Sequence, residues 1–280
     1  MIYRIGERAH DLARRGFVFG IVNVTPDSFS DGGRFLDPEA ALAHGLRLVE
    51  EGADALDVGG ESTRPGSAAV SAEEETARVR PVLERLVPRA GVPVSIDTSK
   101  LEVARVALDL GAAIVNDISG LRLRDSTGRP ALAALAAPRG ASLIVMHMQG
   151  DPATMQAAPR YDDVVSEVSG ALARAAREAQ AAGVSQDRIA IDPGIGFGKS
   201  LEHSLTLLRR MEALCALGYP VMIGVSRKSL FEKLLGLPVG ERLEAGLAAS
   251  VLAFERGARL FRTHDVQATV RALRTAEALL

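Results

Sequence analysis

Polar side chains stand at the ends of several short apolar runs in this chain, where a strand buried on both faces would be expected to end on apolar residues. The side chains at these ends are Asn23, Asp57, Asp97, Asn116, His147, Asp192, Lys228 and His264. Such carboxylate, amide, imidazole and ammonium groups could bind a polar ligand and an oxygen-liganded metal ion. Taken singly, the Asp and Asn residues could instead cap helices or brace turns, and His147 could be a structural histidine. Lys228 is harder to explain structurally, because a buried ammonium needs an anionic or carbonyl partner.

The apolar runs are rich in β-branched residues, and each is followed by a polar or glycine-rich turn and then by a stretch with helical periodicity. Eight strands are predicted, at Phe17–Asn23, Ala55–Gly59, 92–97, 113–117, 142–147, Ile189–Asp192, 221–226 and 259–264. Helix start signals include Asp37, Ser71 and Ser99. Strict alternation of strand and helix requires parallel pairing. An open doubly wound sheet would alternate in the same way, but eight units without a composition break favour a single (β/α)8 TIM barrel over residues 1–280.

Closure into a barrel would bring the polar strand ends together. The carboxyl ends of all barrel strands lie on one rim, and we therefore predict the site at that rim. The segments 25–33 and 61–66 are long, polar and rich in glycine. We interpret them as loops that close over the site and exclude water, and ordinary connectors are the alternative.

The composition argues against several classes of function. The formal net charge of −2 provides no basic excess for a nucleic-acid surface. No apolar run approaches the roughly 18 residues of a membrane span, and we expect a cytoplasmic protein with no nucleic-acid or membrane partner. Cys215 is the single cysteine and is interpreted as a core thiol. The segment 194–200 ends like a phosphate-binding P-loop, but the first glycine of that motif would have to stand at Pro193.

Longer motifs at the strand ends make the pattern specific. NVTPDSFSDGG at 23–33 and DVGGESTRPG at 57–66 resemble the motifs of dihydropteroate synthases. The resemblance continues through SIDTSK at 95–100, VND at 115–117, MHMQG at 146–150, DPG at 192–194, SRKS at 226–229 and RTHD at 262–265. It covers essentially the whole chain in the order of the family.

The resemblance implies an enzyme that joins 6-hydroxymethyl-7,8-dihydropterin pyrophosphate to p-aminobenzoate and releases pyrophosphate. Its product, 7,8-dihydropteroate, belongs to folate biosynthesis. The implied substrate-binding residues are Thr63, Arg64, Pro65, Asp97, Asn116, Met146, Asp192, Phe197, Ser226, Lys228, Arg262 and His264. Within this set, Thr63, Arg64, Pro65, Phe197 and Ser226 would form the p-aminobenzoate site. The implied metal ion is Mg²⁺, bound by the side-chain oxygen of Asn23, and it would bridge Asn23 to the pyrophosphate.

The family also implies how the reaction proceeds. The bond from the pterin methylene to the leaving oxygen breaks before the amine attacks. The implied catalytic residues are Asp97, Asp192, Lys228, Arg262 and His264. The two carboxylates would stabilise the pterin cation, while Arg262, His264 and Mg²⁺ would stabilise the departing pyrophosphate, so no protein nucleophile is needed.

Two other functions remain compatible with the fold. A pterin-binding methyltransferase domain would keep the pterin residues, but it would not need the pyrophosphate pair Arg262 and His264. A paralogue that binds pterins without condensing them would not need intact closing loops. The family pattern further implies a homodimer formed by outer helices of the barrel.

Overall fold

The computed structural model of the chain describes residues 1–25, 37–62, 67 and 69–280. The strands are β1 Ile2–Ile5, β2 Arg8–Asp11, β3 Phe17–Asn23, β4 Ala55–Gly59, β5 Val94–Asp97, β6 Ile114–Asp117, β7 Ser142–Met146, β8 Ile189–Asp192, β9 Met222–Ile223 and β10 Leu260–Thr263. The helices are α1 Pro38–Glu50, α2 Ala72–Leu86, α3 Leu101–Asp109, α4 Ala131–Ala136, α5 Val164–Ala181, α6 Leu201–Arg209, α7 Met211–Cys215, α8 Leu230–Leu235, α9 Leu243–Glu255 and α10 Val266–Leu279. Within these described residues, none of the helices has both the length and the apolar character needed to cross a membrane.

Strands β3 to β10 form a closed parallel barrel, as the alternation of strands and helices predicts. Their order in the sheet is β8, β7, β6, β5, β4, β3, β10 and β9. The two ends of this sheet meet at a parallel bridge between Ile191 and Val221, and the Ile191 N–H donates to the Pro220 carbonyl at 2.9 Å. The doubly wound alternative is therefore wrong, and the carboxyl ends of all eight strands share one rim.

The amino-terminal end of the barrel is closed by a hairpin that the sequence analysis did not predict. Strands β1 and β2 pair antiparallel, and Tyr3, Ile5 and Leu12 are almost completely buried. They pack in one cluster with residues from the beginnings of the barrel strands, including Phe19 and Leu260. Because this end is filled by apolar side chains, ligand access is left to the opposite rim.

Capping residues in the sequence predicted two helix starts correctly and a third wrongly. Asp37 accepts from the Glu39 N–H at 3.0 Å and Ser71 from the Glu74 N–H at 3.1 Å, which confirms the first two predicted helix starts. The predicted cap at Ser99 is wrong, because α3 begins at Leu101 and its cap residue is Lys100, whose side chain makes no capping bond to the helix.

The predicted strand at 221–226 is also too long. Only Met222–Ile223 pairs as strand β9, and the chain turns at Ser226 and Arg227. Arg227 adopts a φ of 57°, in the left-handed region that a strand cannot contain. Lys228 therefore follows a tight turn instead of ending a strand.

Candidate active site

An arginine held between two carboxylates forms the floor of the rim. The Arg262 guanidinium on β10 donates from Nε to Asp57 Oδ2 at 2.5 Å and from Nη2 to Asp97 Oδ2 at 2.7 Å. Asn116 Nδ2 also donates to Asp57 Oδ2, at 3.1 Å. Among the described residues, Oδ1 of Asp57 and Oδ1 of Asp97 are buried and have no hydrogen-bond partner. The floor therefore offers acceptor atoms to a ligand with N–H donors.

The charge balance of this floor affects the protonation of Asp97. Burial raises the pKa of Asp97 to about 7, and Arg262 opposes that rise while the neighbouring Asp57 adds to it. Two carboxylates thus share one guanidinium in a site that excludes most water. A ligand that brings positive charge to this floor would favour the ionised form of Asp97.

A second group of residues forms the wall opposite the floor. Asp192 ends β8, and its Oδ1 accepts from the Gly194 N–H at 2.7 Å. Lys228 donates to the Ile195 carbonyl, and its Nζ lies 4.2 Å from the centre of the Phe197 ring. The sequence-based expectation that this ammonium needs a partner is met by that carbonyl and by its interaction with Asp192.

The electrostatics of the wall are consistent with a binding site. Burial lowers the pKa of Lys228 to about 8, although Asp192 and Asp97 act in the opposite direction. Burial also raises the pKa of Asp192, against the pull of Lys228 and the Gly194 N–H. Since Lys228 interacts electrostatically with Asp192, Arg262 and Asp97, floor and wall belong to one site.

A third group lies where β10 ends. Ser226 Oγ lies 3.1 Å from His264 Nδ1 and accepts from the His264 backbone N–H at 3.2 Å. Arg227 pairs with Asp265, with a closest approach of 2.5 Å. The sequence-predicted residues Ser226 and His264 are therefore adjacent, whereas the Arg227 guanidinium is directed to a carboxylate of the protein.

The remaining predicted residues fall around these groups. Met146 ends β7 in register with Asp192 and is buried. Thr63, Arg64 and Pro65 lie outside the described residues, and so do parts of both segments interpreted as closing loops.

Asn23 is the residue expected to bind Mg²⁺. It ends β3, half-buried, in register with Gly59, which is itself in register with Asp97. Within the described part of the chain, no three His, Cys, Asp or Glu side chains are grouped to hold a metal ion. A single amide oxygen nevertheless fits Mg²⁺, which keeps several waters and takes its other ligands from substrate phosphates.

Two residues of this region were not assigned to the site from the sequence. Asp57 was noted as a strand end, but it lies inside β4, is fully buried and binds Arg262. The feature of the sequence that points to Asp57 is the position of an ionisable residue in the middle of an apolar strand. Lys199 lies in the segment that resembles a P-loop, and the feature of the sequence that points to it is the scarcity of lysine, of which the chain has four.

A closed (β/α)8 barrel with buried acids and bases at its carboxyl rim is the architecture of an enzyme acting on a small polar substrate. The sequence profile of the family described as "Pterin binding enzyme" matches residues 19–264. The chain is 45% identical over 263 residues to dihydropteroate synthase of Escherichia coli strain K12, covering 94% of this chain and 91% of the relative.

Solved structures agree with that match. Dihydropteroate synthase of Xanthomonas albilineans with 4-aminobenzoic acid has a TM-score of 0.90 and 48% identity, covering 99% of this chain and 97% of that one. A structure from the same organism with 7,8-dihydropteroate has a TM-score of 0.87 and 44% identity, covering 100% of this chain and 98% of that chain. The chain belongs to the pterin-binding enzyme family and, within it, to the dihydropteroate synthases.

Proposed function

We propose that the chain condenses 6-hydroxymethyl-7,8-dihydropterin pyrophosphate with p-aminobenzoate, giving 7,8-dihydropteroate and pyrophosphate. The observation that carries this proposal is the pair of buried carboxylates, Asp97 and Asp192, with Lys228 and Arg262 interacting with both. The relatives bind 4-aminobenzoic acid and 7,8-dihydropteroate, which are a substrate and the product of this reaction.

The pterin ring presents an edge made of a ring N–H and an exocyclic amine, and a carboxylate accepts both bonds in a bidentate fashion. Asp192 is suited to this role because the Gly194 N–H fixes its orientation at the rim. Asn116 and Asp97 would contact the remaining edge, and Lys228 would donate to the pterin carbonyl. Met146, buried and in register with Asp192, would provide an apolar surface beside it.

In the proposed reaction, the bond between the pterin methylene and the leaving oxygen breaks, and the electron pair departs with pyrophosphate. Asp97 and Asp192 would stabilise the resulting pterin cation, since both carboxylates are buried in a medium that strengthens their interaction with charge. The aryl amine then forms the carbon–nitrogen bond and loses a proton. Its ring would lie against Phe197, near Lys228 and Ser226, and the expected contacts from Thr63, Arg64 and Pro65 stay predictions.

Arg262 and His264 would hold the pyrophosphate. Asp57 and Asp97 hold the Arg262 guanidinium from one side. The guanidinium would therefore keep its orientation while it binds the phosphates. Asn23 would hold Mg²⁺, which when bound supplies positive charge to the phosphate oxygens of the leaving group.

The test supplies the pterin pyrophosphate, labelled p-aminobenzoate and Mg²⁺ to the full chain. We expect labelled dihydropteroate and pyrophosphate in equal amounts, and omission of either substrate should abolish both. Binding of the pterin without product would support the non-catalytic paralogue. Methyl transfer from methyltetrahydrofolate without any dihydropteroate would support the methyltransferase, and either result would overturn this proposal.

We also propose that the chain forms a homodimer through its outer helices. The support is a group of exposed apolar residues on and after α8 and on α9, namely Leu234, Leu235, Val239 and Leu252, which are 46%, 57%, 58% and 47% exposed. Light scattering on the wild type should give twice the chain mass, and Leu235→Glu should give the monomer. The matched control is Leu123→Glu in the loop after β6, which should stay dimeric. A monomeric wild type would contradict the proposal.

The cytoplasmic location expected from the sequence stays a prediction.

A further inference from the structure

A buried lysine lies directly behind the wall of the site, and the reaction described above does not use it. Lys199 is 2% exposed. Its Nζ donates to the Phe197 carbonyl at 3.0 Å and to the His147 carbonyl at 3.3 Å, and it lies 3.0 Å from His147 Nδ1. These three acceptors match the three N–H bonds of the ammonium form, while burial lowers the pKa of Lys199 to about 7 against the opposing effect of Asp192.

Lys199 ends a turn that has little freedom to relax. Gly194, Gly196 and Gly198 all have φ between 59° and 81°, in the left-handed region. A Cβ at Gly194 would lie 2.0 Å from the His147 carbonyl oxygen, and one at Gly198 would lie 2.3 Å from that of Gln149. The turn at 194–198 therefore packs backbone against backbone on the segment that follows β7.

Side chains from outside the turn satisfy its carbonyl groups one after another. The Ile195 carbonyl accepts from Lys228, and the Phe197 carbonyl accepts from Lys199. The Gly196 carbonyl accepts from Gln156 Nε2 at 2.5 Å, and the Gly198 carbonyl accepts from the Tyr161 hydroxyl at 2.9 Å. Four consecutive carbonyls thus have a side-chain donor each, and two of these donors are lysines.

The orientation of this turn determines the geometry of the wall. The peptide that Lys199 holds carries the Phe197 ring, which lies 4.2 Å from Lys228 Nζ. The same turn provides the Ile195 carbonyl that binds Lys228 and the Gly194 N–H that orients Asp192. A rotation of the Phe197 peptide would therefore displace the aromatic ring and change its contact with Lys228 Nζ.

We propose that Lys199 is a positioning residue, which holds the Phe197 peptide so that the ring and the Lys228 amine are set for p-aminobenzoate. This inference rests on the proposed function, which places that substrate against Phe197 and Lys228. Burial, reinforced by Lys199, lowers the pKa of His147 to about 3, so the imidazole is neutral and Nδ1 can accept a bond from the amine. His147 is thereby part of the support of the turn.

The test compares Lys199→Met, which keeps the length of the side chain but removes its donors, with Lys199→Gln, which keeps an amide donor. The readouts are both KM values, kcat per active site and the melting temperature. We expect Lys199→Met to raise the KM for p-aminobenzoate about tenfold, because displacement of the Phe197 ring weakens the surface against which this substrate is placed, and a tenfold loss of affinity corresponds to about 1.4 kcal/mol. We expect kcat per active site to change much less, and Lys199→Gln to recover most of the KM.

The matched control is Ile114→Val, in the apolar cluster at the opposite end of the barrel. It should lower the melting temperature and leave both KM values unchanged. If Lys199→Met does not fold, Tyr161→Phe removes the donor to the Gly198 carbonyl of the same turn and should raise the KM for p-aminobenzoate about threefold, a loss typical of one neutral hydrogen bond.

The inference is overturned if folded Lys199→Met keeps the wild-type KM for p-aminobenzoate, or if Lys199→Gln is no better than Lys199→Met. It is equally overturned if Lys199→Met cannot be folded and Tyr161→Phe keeps the wild-type KM. A wild type that makes no dihydropteroate would instead remove the proposed function, so the two failures are distinguishable.

Discussion

Replacement of Lys228 by Met tests the wall of the site most directly. The side chain is half-buried, donates to the Ile195 carbonyl and interacts with Asp192. Methionine fills nearly the same volume, but the change removes the cation that interacts with the buried Asp192 carboxylate, and loss of one partner of a buried charge pair is destabilising. The variant should therefore lose some stability in urea unfolding, and its binding defect is measured on the folded protein.

The size of the defect follows from the bonds that are lost. One hydrogen bond from a charged donor to the pterin contributes about 1.5–3 kcal/mol, which corresponds to a roughly 10- to 150-fold loss of affinity. Loss of the ammonium also removes a group that lowers the pKa of Asp192, so this carboxyl becomes easier to protonate and a poorer acceptor for the pterin edge. Both effects reduce kcat/KM.

The assay is calorimetric titration with a dihydropterin, combined with steady-state kinetics and urea unfolding. Lys233→Met is the matched control, because it makes the same chemical change at an exposed position of α8 and should leave all three measurements unchanged. A Lys228→Met protein with wild-type pterin affinity would refute the assignment of this residue to the pocket.

The remaining predictions concern pH and the metal ion. Burial raises the pKa of Asp97 to about 7 and lowers that of Lys228 to about 8. We therefore expect kcat/KM to decrease as the pH drops below the pKa of Asp97, because the carboxylate is protonated, and to decrease as the pH rises above the pKa of Lys228, because the ammonium loses its proton. The range from about pH 6 to pH 9 spans both ionisations, and a kcat/KM that stays constant across it would contradict these roles. A chelator should stop turnover and excess Mg²⁺ should restore it, whereas full activity in chelator would remove the metal ion assigned to Asn23.

Most of the barrel could be predicted from the sequence because its signals are local. Each strand is a short β-branched run with a turn after it, and Asp37 and Ser71 cap helices within three residues of their own position. The failures have physical causes of longer range. The β1–β2 hairpin has strands of four residues and is stabilised by packing against the strand beginnings. The predicted strand at 221–226 pairs only at Met222–Ile223, and the chain then enters a turn in which Arg227 is left-handed although it is not glycine.

The residue types of the site could be read from the chain, because ionisable groups after apolar runs are unusual and the family motifs surround them. How those residues pair could not be read in this way. Arg262 was expected to meet phosphate alone, but it is held by Asp57, which lies 205 positions away in the chain, and by Asp97. Side-chain donors to the carbonyls of 195–198 come from three different parts of the chain. Closure of the barrel creates these contacts, and with them the buried environment that shifts the pKa values, because only packing of distant segments removes water from a charged group.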